Sequence, residues 1–297
     1  MISNALKGVF IGIALVIPGL SASTFAVVTG LYDKIISAVN NIRKQFKKSL
    51  LFLLPIGIGV AVGILASAGA ILRIMYAFPL QSYGFFIGLV IGSVPTIYGK
   101  IKPGVGKKPN YAFAIVSFVA IAFLAFIVPT DDVVSIYAIE GIGDFITIFT
   151  AGLIACFLLA VPGVSGSLII ILLGQYGTVY GAVSNFSEVI LMLIRRQEGA
   201  LDLGLDSGFI ILAFAAGAII GLLAAAKIIG YLIERFEVKV YFAVMGLVLG
   251  AVVTLFYIGA AEHFTQASPA IALNIVFLAV FGALGYFCTK LMRGKEQ

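Results

Sequence analysis

A chain of 297 residues that is 62% hydrophobic and 11% charged, with a mean hydropathy of +1.17, cannot clothe a soluble globule in polar surface. In a bilayer each backbone polar group must be paired internally, and apolar blocks of about 20 residues achieve this as helices, so the composition defines an all-α polytopic membrane protein. The net charge of +6 then reports topology, and nucleic-acid binding is excluded.

In chain order, residues 4–30 are apolar but interrupted at Pro18-Gly19. The pieces, about 13 and 9 residues, rise only 1.5 Å per residue and cannot each cross a core of roughly 30 Å, so a broken, re-entrant hairpin is predicted. Lys7, the apolar run to Ile17 and Ser21-Ala22-Ser23 imitate a secretory signal. Because the same pattern recurs deep in the chain, the stretch is expected to be a retained element. Residues 31–48, with Asp33, Lys34 and the cluster Arg43, Lys44, Lys47 and Lys48, read as an interfacial helix. Spans are predicted near 50–75, 82–98 and 111–128. A second hairpin near 145–174 is broken at Pro162-Gly163, a polar interfacial stretch follows at 175–207, and spans near 208–233, 239–257 and 269–289 complete the chain. The expectation is about six full transmembrane helices plus two broken hairpins.

The two breaks match. Ile17-Pro18-Gly19-Leu20-Ser21-Ala22-Ser23-Thr24 and Val161-Pro162-Gly163-Val164-Ser165-Gly166-Ser167 share a Pro-Gly-x-Ser-x-Ser pattern at an offset of 144, which continues through Gly30/Gly174 and Tyr32/Tyr176. Past the hairpins the offset becomes 158, through Gly59/Gly217, Gly63/Gly221, Tyr83/Tyr241, Gly88/Gly246 and Gly92/Gly250. The GxxxG spacings let helix backbones approach closely, within one chain, across a homodimer interface, or both. If both ends of the first hairpin face the cytoplasm, 15 of the 19 basic residues lie inside and 9 of the 13 acidic residues outside. That assignment places both termini on the cytoplasmic side of the inner membrane and brings the second hairpin in from the opposite face. The expected architecture is a single membrane domain, 1–297, built as an inverted-topology duplication of halves 1–130 and 140–297.

A helix broken inside the membrane persists only where its freed backbone groups line a polar cavity or hold a ligand. Hydroxyls beside a new helix start suit an anion, phosphate above all. The candidate site is therefore Pro18, Gly19, Ser21, Ser23 and Thr24 against Pro162, Gly163, Ser165, Gly166 and Ser167. The ordinary alternative for a membrane serine is a bond back to its own helix. Arg73 and Lys227 are cations inside spans, where a lone charge costs at least ~2.5–3.5 kcal/mol, so each is a candidate for the substrate as well as for snorkelling. Cys156 and Cys288 sit in apolar segments without Cys or His neighbours, and His263 stands in a polar loop. No metal, no cofactor and no nucleophile–base pair is expected, hence no enzyme.

These residues resemble the bacterial and archaeal polyprenyl-phosphate transporters. The resemblance rests on Lys7-Gly8, Pro18-Gly19-Leu20-Ser21, Gly30-Leu31-Tyr32, Phe85-Phe86-Ile87-Gly88-Leu89, Gly92-Ser93-Val94-Pro95, Pro162 to Ser167, and Leu173-Gly174-Gln175-Tyr176. It implies a protein that returns undecaprenyl phosphate, or a related lipid carrier, from the outer to the cytoplasmic leaflet for reuse in cell-envelope glycan synthesis. Inward movement of an anion opposes a negative-inside potential at about 2.3 kcal/mol per charge per 100 mV. A co-moving proton or sodium ion is therefore expected, with Asp33 as its carrier. The rival function is secondary transport of a small soluble anion through the same crossed half-helices.

Overall fold

The structure, a computed structural model, describes residues 2–20, 22, 26, 31, 34, 35, 37, 38, 44–127, 138–159, 165–260, 264 and 271–293. Among these every regular element is a helix. We number them α1 (Ile2–Val16), α2 (Phe46–Ala77), α3 (Pro79–Ile101), α4 (Lys108–Ile127), α5 (Ile142–Leu159), α6 (Gly166–Leu172), α7 (Tyr176–Ile194), α8 (Ala200–Gly259) and α9 (Ile271–Arg293). A single 3₁₀ turn, Lys102–Gly104, follows α3.

Seven stretches of the described residues are long and apolar enough to cross a membrane, including Ile142–Leu159 and Tyr176–Ile194. The second of these departs from the expected interfacial stretch. Its charges explain the difference: between Tyr176 and Ile194 the only charged residue is Glu188, while Arg195, Arg196, Glu198, Asp202 and Asp206 all fall beyond the helix end. The charges that follow Ile194 mask an apolar helix in the sequence.

Length also accounts for the two sharpest features of the backbone. A straight helix of 60 residues would measure about 90 Å, three times a bilayer core. α8 instead breaks at Phe236, where φ is −136° and ψ 34°. Phe78, between α2 and α3, has φ −136° and ψ 62°, and it stands 158 residues before Phe236. The chain thus turns on a phenylalanine at both positions.

The glycines decide which helices touch. A Cβ on Gly8 or Gly12 of α1 would strike the α2 backbone at Ile56 and Val60, and one on Gly59 or Gly63 of α2 would strike α1 at Ala5 and Val9. Residue numbers rise together along this contact, so α1 and α2 run parallel with backbones in van der Waals contact, as small residues at four-residue spacing allow. The same arrangement recurs where Gly217 and Gly221 of α8 meet α5 at Phe149 and Leu153. A second kind of pair joins α3 to α9, through Gly88 against Gly282 and Gly92 against Thr289, and the far arm of α8 to α4, through Gly246 against Ala114 and Gly250 against Ile121. Hydroxyls pin both contacts: Thr289 donates to the Leu89 carbonyl at 3.1 Å, and Ser117 to that of Ala243 at 2.7 Å.

α3 and the far arm of α8 pack together running in opposite directions. Tyr83 packs against Gly259 at one end, while Lys100 reaches Glu237 at 3.1 Å and the Tyr241 ring at the other. The core runs through this crossing and around α6, all seven of whose residues are buried.

Candidate functional site

α1 ends where it does because Pro18 has no N–H to continue the ladder and crowds the preceding turn. The last bond of the helix is Ile17 N–H to the Ile13 carbonyl, and Gly19, at φ +82°, takes the left-handed conformation that turns the chain away. Gly19 has no room for a side chain either, since a Cβ there would lie 2.9 Å from Val90 Cγ2 and 3.2 Å from the Phe86 carbonyl. Carbonyls in the last turn of such a helix need donors from outside it.

Those donors come from the second half of the chain. Tyr180 donates its hydroxyl to the Leu15 carbonyl at 2.8 Å, Tyr176 to that of Val16 at 2.7 Å, and Ser167 to that of Ile17 at 3.1 Å. Ser165 and Ser167 lie 3.0 Å apart, oxygen to oxygen. With the Ser167 proton directed at Ile17, Ser165 is the donor of that pair. Ser165, Ser167, Tyr176 and Tyr180 are all buried, so a seam of hydroxyls runs through the apolar core. Buried polar groups in such surroundings are tolerated only when paired, which the three carbonyls accomplish.

The elements around the seam follow from sequence. Ser165 precedes α6 in an extended conformation, and the Ile169 N–H closes the first turn onto its carbonyl. Gly174, at φ +67°, ends α6 in the left-handed region, and α7 starts two residues later. Tyr176 and Tyr180 are four apart on α7, their ring centroids 4.7 Å from each other, so both hydroxyls face α1. Removing the Tyr176 hydroxyl strands a buried carbonyl, at about 1–3 kcal/mol, and removing that of Tyr180 strands a part-buried one. Tyr176→Phe and Tyr180→Phe are each expected to lower the melting temperature in detergent, with a double variant less than additive because the rings touch. Unchanged melting in both would show that the carbonyls find other donors.

Of the predicted site residues, Pro18, Gly19, Ser165, Gly166 and Ser167 meet at this junction. Ser21, Ser23, Thr24, Asp33, Pro162 and Gly163 lie outside the described residues, as does the side chain of Lys227, whose backbone belongs to α8. Arg73 stands apart, in a separate cavity of about 200 Å³ between α2 and α7, 3.7 Å from Glu188, with Tyr76, Thr178 and Asn185 also in its wall. Both charges are more than half exposed, so the pair is worth at most ~1 kcal/mol by itself.

Tyr180 and Glu188 were missed as site residues. The signal for Tyr180 was its four-residue spacing from Tyr176, just beyond the second break; Glu188 lies on another side of α7, with Gly181 and Asn185, toward Arg73.

Three comparisons bear on identity. The chain is 27% identical over 206 residues to a polyprenyl-phosphate transporter of Vibrio cholerae, covering 65% of this chain and 63% of that protein. It is 26% identical over 222 residues to a polyprenyl-phosphate transporter of Staphylococcus aureus, covering 70% and 74%. The match thus spans a little under two thirds of the Vibrio relative. No solved structure matches the chain. The undecaprenyl phosphate translocase-like family model matches residues 11–272, nearly the whole of the hydroxyl seam and the helix pairs that frame it. The chain belongs to that undecaprenyl phosphate translocase-like family.

Proposed function

We infer that this protein moves a polyprenyl phosphate such as undecaprenyl phosphate across the cytoplasmic membrane, from the outer to the inner leaflet, and so recycles the carrier for cell-envelope glycan synthesis. The observation that carries this reading is the Ser167 hydroxyl on the Ile17 carbonyl, which joins the two broken segments inside the membrane domain. A phosphate cannot enter hydrocarbon unaided, but it can pass a seam of hydroxyls while its prenyl chain stays in lipid. At that seam the head group exchanges one hydrogen bond for another. Ser167 releases the Ile17 carbonyl, which keeps the Leu20 N–H at 3.2 Å, and turns to a phosphate oxygen in a stronger, charge-assisted bond.

The site we propose comprises Pro18, Gly19, Ser21, Ser23 and Thr24 from the first break and Pro162, Gly163, Ser165, Gly166 and Ser167 from the second. Arg73 and Lys227 attract the anion from the flanking helices. The opposed directions of α3 and the far arm of α8, equivalent at an offset of 158, support an inverted duplication. Such a duplication presents similar breaks to the two leaflets, as alternating access requires. Coupling to a proton or sodium ion, carried at Asp33, offsets the cost of moving negative charge inward. The relatives' names describe transport, and no chemical conversion of the lipid is part of this proposal.

In proteoliposomes a short-chain polyprenyl phosphate is expected to change leaflets at least tenfold faster than in protein-free vesicles. Uptake of soluble phosphate without lipid exchange would replace this function with soluble-anion transport.

A further inference from the structure

A second cavity, about 540 Å³, opens between α2, α3 and α9. Its volume lies within the ~300–1,000 Å³ typical of pockets that bury a ligand of drug size. Five phenylalanines line it, Phe78, Phe85, Phe86, Phe277 and Phe281, beside aliphatic side chains of α2 and α9. Its outer wall faces lipid: Ile74, Phe78 and Leu284 are exposed. Its floor is deep in the protein, at the buried Met75 and Phe86. Ile17, the residue whose carbonyl holds the Ser167 hydroxyl, also lines it.

We propose that this groove is the binding site for the first isoprene units of the lipid chain, seated while the phosphate occupies the adjoining seam of hydroxyls. The proposal rests on the transport function inferred above and adds to it a tail site. Two features select this occupant. The groove and the seam share Ile17, so one molecule with a polar head and an apolar tail fills both. The groove walls carry aromatic edges and faces, with Phe85 and Phe86 in a T-shaped pair 6.4 Å apart, and these pack branched, unsaturated chains through dispersion.

The test uses the full chain in liposomes with two probes carrying a diazirine near the head end of the tail, one on a polyprenyl phosphate and one on phosphatidylcholine. Labelled peptides are mapped, and leaflet exchange is measured in the same vesicles. Ile74→Trp and Leu284→Trp add bulk at exposed positions in the wall, and Val116→Trp, on the exposed face of α4, adds equal bulk elsewhere. The polyprenyl probe is expected to concentrate on residues 71–86 and 277–284, to be displaced by unlabelled polyprenyl phosphate and not by phosphatidylcholine. The groove variants should lower both labelling and exchange at least fivefold, with Val116→Trp unchanged.

Labelling spread evenly over the lipid-facing helices, or displaced equally by phosphatidylcholine, would assign the groove to bulk lipid and overturn the proposal. Wild-type exchange that both groove variants leave intact would also overturn it, while the transport function stood. Specific labelling of the groove without exchange in the wild type would support the tail site and remove the transport function.

Discussion

Gly59→Ala and Gly57→Ala, two residues apart on α2, are expected to move stability in opposite directions. A methyl at position 59 falls on the Ala5 carbonyl of α1 and within 3.1 Å of Gly8 Cα, a backbone wall with no flexible side chain to yield. The two helices must separate, and every contact along their shared face weakens with them. Overpacking of this kind costs typically 1–3 kcal/mol, and here the wall is backbone, so the upper end or loss of folded protein is expected. At position 57 nothing lies within 4 Å, and alanine merely removes the entropic cost of a helical glycine, a gain of up to about 1 kcal/mol. Thermal unfolding in detergent compares the pair directly. Equal shifts would show that α1 and α2 are not in backbone contact. Gly217→Ala, at the equivalent place in the second half, should behave as Gly59→Ala does.

Ser165→Ala/Ser167→Ala is expected to reduce leaflet exchange of polyprenyl phosphate at least tenfold while leaving the protein folded. Folding survives because Ile17 loses only one of two donors: the Leu20 N–H still reaches its carbonyl at 3.2 Å. Two hydrogen bonds go with the serines, but that between Ser165 and Ser167 loses donor and acceptor together, so the stability cost is about 1 kcal/mol. Exchange falls because the phosphate, once desolvated, loses both hydroxyls at the point where the two breaks meet, and an unpaired charge in a dry interior is far costlier than a missing neutral bond. Tyr176→Phe should show the reverse, a lower melting temperature with less effect on exchange, since its hydroxyl is committed to the Val16 carbonyl. Melting and exchange measured on the same preparations separate holding the junction from handling the substrate.

Much of this architecture was legible in the sequence because bilayer physics leaves few choices. Long apolar runs became α2, α3, α4 and α9 close to their expected bounds, and the two spans expected near 208–233 and 239–257 became the arms of the kinked α8. Pro18-Gly19 ended α1 because proline has no N–H to continue the ladder and glycine takes the left-handed turn. The paired glycines were legible as close-packing positions, but not their partners: sequence cannot say that Gly59 meets Ala5 or that Gly88 meets Gly282. α7 was obscured by the charges that follow it; Pro79 marks the turn at Phe78, whereas the break at Phe236 has no proline or glycine beside it. The seam itself was half legible. Ser165 and Ser167 stood out beside a Pro-Gly, yet their partner is a backbone carbonyl 150 residues away, a type of contact that leaves no residue pattern. Arg73 looked like a lone membrane cation until α7 brought Glu188 within 3.7 Å.

The most direct test is the ratio of leaflet-exchange rates for a polyprenyl phosphate and phosphatidylglycerol, two anionic lipids that differ in chain and head, in the same proteoliposomes. A ratio of ten or more in the wild type, collapsing toward one in Ser165→Ala/Ser167→Ala, is the result this account predicts. Equal acceleration of both lipids, or a ratio indifferent to the two serines, would contradict selective passage of a polyprenyl phosphate through the junction of the two breaks.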